Sequence, residues 1–114
     1  IVLEKHRLIH AGINPLKDLD GQTENDRLWS RNIFEFNTAP DPKRQVIIGH
    51  TPTQEIDGHG SALPWYSEFT TQDGRSAIIA LDTGVSLEEE YRPTLTAVCI
   101  NSGRIVQIKR DNSD

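Results

Sequence analysis

Residues 45–52 read Gln-Val-Ile-Ile-Gly-His-Thr-Pro, and this stretch decides the predicted fold. Its apolar run is too short for a helix and is bounded by Pro and Gly, which predicts a buried strand over 45–49 that ends just before His50. Residues 7–10 repeat the form, with two apolar residues before His10 and two small residues after it. Because ligand sites collect at the carboxyl ends of strands in sheets packed against helices, the two histidines are predicted to share one site.

Either histidine taken alone is more often a structural residue than a ligand. A neutral imidazole is nevertheless a natural ligand for a divalent transition metal, and the repeated setting of His10 and His50 favours a shared site. Two ligands do not make a metal site by themselves, since three or more are normal. The sequence therefore offers part of a metal site.

One helix is predicted between the two strands. Residues 23–26 have the form of a capping box, Thr-Glu-Asn-Asp, at the start of a helix. Trp29, Ile33 and Phe36 follow at spacings of four and three, which predicts one apolar stripe along the helix. The segment 37–43 contains two Pro residues and ends it.

Beyond residue 64 the pattern is rich in β-strands. Two hairpins are predicted, the first with strands 65–71 and 76–81 across an Asp-Gly turn, and the second with strands 94–100 and 104–108 across Asn-Ser-Gly. Neither face of the second hairpin is strongly polar, so it is predicted to be buried on both sides. Glu88-Glu89-Glu90 is interpreted as a solvated loop and 112–114 as a frayed tail.

Length and composition limit the classes of protein to which the chain can belong. Its 114 residues suit one domain, and a single Cys excludes an internal disulfide, which favours a reducing compartment such as the cytoplasm. No apolar run is long enough to span a bilayer, so no membrane association is expected. The net charge of −5 argues against nucleic acid as the main partner. The lack of Met and the opening inside an apolar run indicate a piece of a longer protein.

Four motifs, in order along the chain, resemble the second half of a calcineurin-like metallophosphoesterase of the bacterial serine/threonine phosphoprotein phosphatase type. They are His10-Ala11-Gly12-Ile13, Trp29-Ser30-Arg31, Gly49-His50-Thr51-Pro52-Thr53 and Leu81-Asp82-Thr83-Gly84. The resemblance covers about residues 7–108. It implies an α/β fold with a mixed sheet in layers, one helix and a β-rich C-terminal part, with residues 1–114 forming the C-terminal portion of the family's domain.

The resemblance also implies a mechanism. Two divalent ions (Mn, Fe or Zn) hold a bridging hydroxide that attacks phosphorus in line. His10 and His50 are implied ligands of one ion, and Arg31 is the implied clamp on phosphate oxygens, with Arg27 as an alternative on the same helix. Asp82 is expected to fix its loop by hydrogen bonds. The implied substrates are phosphoserine or phosphothreonine proteins, or small phosphomonoesters, and dinucleoside polyphosphates are a further alternative.

The motifs of the family's first half do not occur ahead of His10 in this sequence. Gly-Asp-x-x-Asp and Gly-Asn-His, which supply ligands of the other metal, are absent. The one Asp-x-His, Asp57-Gly58-His59, lies after His10 and follows no predicted strand. The chain is therefore expected to carry half of a dinuclear site, to be nearly inactive alone, and to pair with the missing N-terminal half or with itself. The segment 54–75 is longer than the usual linker, which indicates a lid or a substrate loop.

A non-catalytic binding module on the same fold is the competing hypothesis. In that case Trp65-Tyr66 and the acidic run 88–90 would be contact residues, although ordinary packing and surface explain them equally well. His6 and His59 belong to none of the four motifs. His59 lies between two Gly residues, whose flexibility would let it reach a ligand.

Overall fold

The central sheet contains four strands, β1 (His6–Ile9), β2 (Gln45–Ile48), β3 (Trp65–Tyr66) and β4 (Ile78–Ala80). They are seen in the computed structural model of the chain, which describes residues 1–111. β1, β2 and β4 are parallel neighbours in that order, and β3 lies antiparallel to β4 at the edge. The predicted α/β class with a mixed sheet is confirmed. The tail predicted at 112–114 lies outside the described residues.

The three parallel strands end level with one another. Ile9 pairs with Ile48, and Ile48 pairs with Ala80 on the next strand. β2 from Val46 onward and all of β4 are apolar and buried, which is typical of parallel strands covered on both faces. The chain segments that follow these strands therefore emerge side by side at one edge of the sheet.

Helix α1 (Glu24–Trp29) begins at the predicted capping box. The Thr23 hydroxyl accepts a hydrogen bond from the Asp26 amide at 3.2 Å, and the Asp26 carboxylate accepts one from the Thr23 amide at 2.9 Å. Lys17 donates to the same carboxylate at 2.7 Å. The Lys17 hydrogen bond, together with those from Thr23, holds the pKa of Asp26 well below its usual range.

The predicted length of the helix was wrong. Ser30 has an extended backbone with ψ 134° and ends α1, and a separate 3₁₀ turn follows at Asn32–Glu35. The Ser30 hydroxyl accepts a hydrogen bond from the Asn32 amide at 3.2 Å, so this side chain competes with the helical backbone. The expected apolar stripe is consequently split, because Ile33 is fully buried whereas Trp29 is 66% exposed.

The second predicted hairpin forms a two-stranded antiparallel ribbon, β5 (Thr94–Val98) and β6 (Ile105–Lys109). It is attached to the segment that follows β4. The Thr94 amide donates to the Thr83 carbonyl at 3.1 Å, and the Thr83 hydroxyl donates to the Thr94 carbonyl at 2.6 Å. The hairpin prediction is confirmed.

The prediction that the ribbon is buried on both faces was wrong. Leu95, Val106 and Ile108 lie on one face, because Leu95 pairs with Ile108 and Ala97 with Val106, and they are 55%, 49% and 64% exposed. The Gln107 side chain, on the other face, donates to the carbonyl of Ala62, in the loop before β3, at 2.8 Å. A sequence that is apolar on both faces does not reveal which face the fold covers.

The remaining β predictions agree with the structure in part. β3 pairs with β4 across a turn in which Gly74 has φ +86°, but the strand is only two residues long. Glu88 to Glu90 are exposed, as expected, and lead into a 3₁₀ turn at Glu89–Tyr91. Within residues 1–111, no helix is both long enough and apolar enough to cross a membrane.

Candidate functional site

The structure brings His10 and His50 together at the carboxyl edge of the parallel strands. His10 directly follows β1, and His50 follows β2 after one Gly. Their ring centroids are 5.1 Å apart, with the ring planes inclined at 56°. The adjacency expected from the two similar sequence contexts is therefore present.

A tight turn directs His50 toward its neighbour. The Thr51 amide donates to the Gly49 carbonyl at 2.8 Å, which makes a three-residue γ-turn with His50 at its centre. His50 has φ +67°, a left-handed value that only one other non-glycine residue between 1 and 111 adopts. The Gly49 amide donates to the His10 carbonyl at 2.8 Å and fixes the two turns to each other. Such backbone conformations cost about 1–3 kcal/mol and concentrate at functional sites.

Trp29 forms a third side of the site. Its ring meets that of His50 edge to face, with centroids 5.6 Å apart and planes at 89°. The sequence predicts Trp29 as part of a buried helical stripe, and its contact with His50 was missed. Its position in the Trp-Ser-Arg motif is the signal that could have found it.

Arg31 lies away from the helix on which it was predicted. It precedes the 3₁₀ turn at 32–35, and its guanidinium forms an exposed ion pair with Glu55 at 3.4 Å. Arg31 lines a cavity of about 360 Å³ together with Thr51, the residue after His50. Neither histidine lines that cavity.

Arg27, the alternative arginine, lies on α1 and faces a different space. Its guanidinium donates to the Gln22 carbonyl at 2.9 Å. It lines a cavity of about 320 Å³ in which His10 is a wall residue. The prediction that both arginines lie on one helix was wrong. The two line separate cavities, and only the cavity of Arg27 includes a histidine of the pair.

Asp82 follows β4 at the same edge of the sheet. Its carboxylate accepts a hydrogen bond from the Gly84 amide at 3.0 Å, and its carbonyl accepts one from the Thr53 amide at 2.7 Å. These contacts match the expected role of Asp82 in fixing its loop. They also tie the segment after His50 to the end of β4.

The hydroxyl of Thr51 has no hydrogen-bond partner within residues 1–111, although the side chain is buried and only 4% of the residue is exposed. Buried hydroxyls normally have a hydrogen-bond partner, which makes this one unusual in the described part of the chain. It lies one residue after His50 and on the wall of the Arg31 cavity. Sequence patterns give no signal for it.

His59 does not join the histidine pair. Its Nε2 atom is 2.8 Å from the Leu63 carbonyl and 3.1 Å from the Ser61 hydroxyl, so the ring is held within its own loop. The Gly residues on both sides have positive φ and form the turn. The segment 54–75 is only partly a free loop, because it contributes β3 to the sheet edge.

The donor set fits a divalent metal ion in part. Two imidazoles bound to one ion at about 2.1 Å each would place their ring centroids about 5 Å apart, close to the observed separation. No group of three or more His, Cys, Asp or Glu suited to a metal occurs in the described part of the chain. The two rings are therefore close enough to offer at most two nitrogen ligands, and a complete site needs at least one more donor.

No protein-family model matches the chain, and neither a curated protein nor a solved structure matches it.

Proposed function

We propose that this chain supplies the two histidine ligands of one metal ion in a metal-dependent phosphatase that hydrolyses phosphomonoesters, with phosphoserine or phosphothreonine proteins as the main substrates. The fold would be the second half of a layered metallophosphoesterase domain, working in a reducing compartment such as the cytoplasm. The observation that carries the proposal is the pairing of His10 and His50, 5.1 Å apart, at the ends of adjacent parallel strands.

Each residue of the site has a distinct role in this proposal. His10 and His50 hold the ion through neutral imidazole nitrogens, and the edge of Trp29 restricts the orientation of the His50 ring. The ion (Mn, Fe or Zn) supplies Lewis-acid stabilisation of a phosphoryl oxygen when bound. Arg31 binds phosphate oxygens with its planar guanidinium once a substrate displaces the exposed Glu55 carboxylate.

The remaining ligands must come from outside these 114 residues. The resemblance assigns them to Asp-x-His, Gly-Asp-x-x-Asp and Gly-Asn-His motifs ahead of His10, and none of these motifs occurs at that place in the sequence. The chain alone would then hold an ion weakly and turn over substrate very slowly. Joined to a segment that carries those motifs, it would complete a dinuclear site.

Calorimetric titration of the chain with Mn²⁺ or Zn²⁺ tests the proposed ligands. His10→Ala and His50→Ala should each weaken binding by about tenfold or more, because even partners of metal ligands contribute on that scale. His59→Ala is the matched control, since His59 is held in a separate loop, and it should leave the affinity unchanged. Equal affinity in all four proteins would contradict the proposed site.

Hydrolysis assays on the product of the complete coding sequence test the reaction and its substrate. A phosphoserine peptide should be hydrolysed by that product and not measurably by the 114 residues alone, and Arg31→Ala should slow the reaction. Faster hydrolysis of a dinucleoside polyphosphate than of the peptide would favour that substrate class. A product without phosphatase activity would favour the second candidate, a non-catalytic binding module, for which the aromatic groove beside β3 is the supporting observation.

A further inference from the structure

A cavity beside β3 is separate from the histidine pair. This β3 groove has a volume of about 850 Å³, and its walls include Phe36, Asp57, Trp65, Tyr66, Glu68 and Phe69. None of its described lining residues is Lys or Arg. The groove therefore combines aromatic walls with negative charge.

The aromatic wall is held in place before any ligand arrives. Trp65 packs edge to face against Phe34, with ring centroids 5.2 Å apart and planes at 80°. Tyr66 is 45% exposed beside it. Fixed aromatic faces attract Lys and Arg side chains through cation–π contacts.

Two carboxylates at the groove have no cation of their own. Asp57 and Glu68 are both exposed, and neither forms an ion pair with another residue between 1 and 111. Uncompensated carboxylates beside aromatic rings repel anionic ligands and complement cationic ones. The charge of the groove thus selects a basic occupant.

The backbone at the groove favours a polypeptide as that occupant. β3 is the edge strand of the central sheet and pairs with β4 on one side only. An edge strand presents unpaired amide and carbonyl groups to which an extended peptide can add as a further strand. A small cation would use the rings and the carboxylates but would leave this edge unpaired.

We propose that the β3 groove binds an extended, basic segment of a partner polypeptide, which adds along β3 and places Lys or Arg side chains on Trp65 and Tyr66 and beside Asp57 and Glu68. This surface works independently of metal and phosphate. Where the proposed phosphatase activity also holds, the groove would dock a substrate, since Trp65 and Asp57 line the Arg31 cavity as well.

Fluorescence anisotropy of a labelled ten-residue peptide with two Arg residues and no phosphate tests the groove, in EDTA and with the complete 114-residue chain. The peptide should bind about tenfold more tightly than the same peptide with citrulline at both positions, which keeps the shape and removes the charge. Equal binding of the two peptides, or no binding of either, would overturn the proposal. The metal titration described above is unaffected by either result.

Two pairs of variants locate the binding. Asp57→Asn with Glu68→Gln should weaken the Arg peptide about tenfold, whereas Glu88→Gln with Glu89→Gln removes the same charge elsewhere and should change binding by less than about twofold. Equal loss in both double variants would mean non-specific attraction and would reject the groove.

Tyr66→Ala should weaken the peptide by about threefold, and Tyr91→Ala, which removes the chain's other exposed Tyr, should not. Circular dichroism checks that each variant is folded. If the chain sediments as a dimer that Tyr66→Ala dissociates, a second copy occupies the groove and the proposal fails.

Discussion

The central sheet and the β5–β6 ribbon contain similar apolar residues but bury them very differently. Val46 and Ile78 are fully buried in the sheet, whereas Val106 and Ile108 in the ribbon are 49% and 64% exposed. The chain segments that connect the strands cover the sheet, and buried side chains from these segments, such as Ile13, Ile33 and Ile56, complete the core. The ribbon rests on the molecule by one face only. Burial in this protein is therefore set by what covers a strand and not by the composition of the strand.

The same substitution in the two regions should change the free energy of unfolding by very different amounts. Ile78→Ala should lower the free energy of unfolding by about 3–4 kcal/mol, because it removes a fully buried side chain and leaves a cavity. Ile108→Ala should change it by less than about 0.5 kcal/mol, since most of that side chain is already in water. Urea unfolding followed by circular dichroism measures both. Similar losses would mean that the exposed face of the ribbon is covered in solution.

Two glycine turns sharpen the comparison, one at Gly84 in the segment before the ribbon and one at Gly103 between β5 and β6. Gly84 and Gly103 have nearly equal φ values of +74° and +75°, so alanine is strained at both by about 1 kcal/mol or more. A β-carbon at Gly84 would also lie 2.6 Å from Leu87 and 2.7 Å from the Gln54 side chain, whereas one at Gly103 would meet nothing within 4 Å.

Gly84→Ala should therefore destabilise the protein more than Gly103→Ala, by about 2–3 kcal/mol against about 1 kcal/mol. The difference arises because Gln54 donates hydrogen bonds to the carbonyls of Thr83 and Tyr91 and cannot move away without losing them. Thermal and urea unfolding of the two variants provide the measurement. A larger loss from Gly103→Ala would show that the ribbon turn is more constrained than the junction.

The smallest effect on stability is expected from His6, at the place where the central sheet meets the turn between β5 and β6. His6, at the start of β1, is buried, and its Nε2 atom accepts a hydrogen bond from the Arg75 guanidinium at 3.2 Å. Burial first, and then the positive charge of Arg75, lowers the pKa of His6 below 6.5. The nearby Asp73 opposes this shift and Lys5 adds to it, while the turn residues Ile100 and Asn101 line the same cavity.

A lowered histidine pKa makes the folded state less stable in acid. The neutral form of His6 is favoured by folding, so its contribution is complete above pH 6.5 and decreases as the pH falls toward the folded pKa. Asp73 stays ionised in this range because its hydrogen bond from Arg75 lowers its pKa to about 2. The urea concentration at the midpoint of unfolding should decrease as the pH is lowered from about 7.5 to about 5.5. His6→Gln should flatten this dependence, and an unchanged slope would exclude His6 as its source.

Much of the central sheet could be predicted from the sequence because its signals are local. Short apolar runs before His10 and His50 placed β1 and β2, and the Asp-Gly turn placed the hairpin that contains β4. The end of α1 could not be predicted from periodicity, because the Ser30 hydroxyl ends the helix through a bond to the Asn32 amide. The exposure of the ribbon depends on which distant segment covers it, and no local pattern carries that information.

The candidate site likewise has parts that local sequence signals predict and parts that depend on distant contacts. Neighbouring parallel strands bring the residues after them together, so the closeness of His10 and His50 follows from the two strand assignments once β1 and β2 are neighbours in the sheet. The pairing of Arg31 with Glu55 joins residues 24 positions apart, and the unpartnered Thr51 hydroxyl results from three-dimensional packing. Neither has a signature in the chain.

The left-handed backbone of His50 sets two demands on one position against each other. Gly adopts this conformation without the strain that a β-carbon brings, so His50→Gly would relax the turn while removing the ring that lies beside His10. The residue that is easiest for the backbone and the residue that supplies an imidazole are therefore different at position 50.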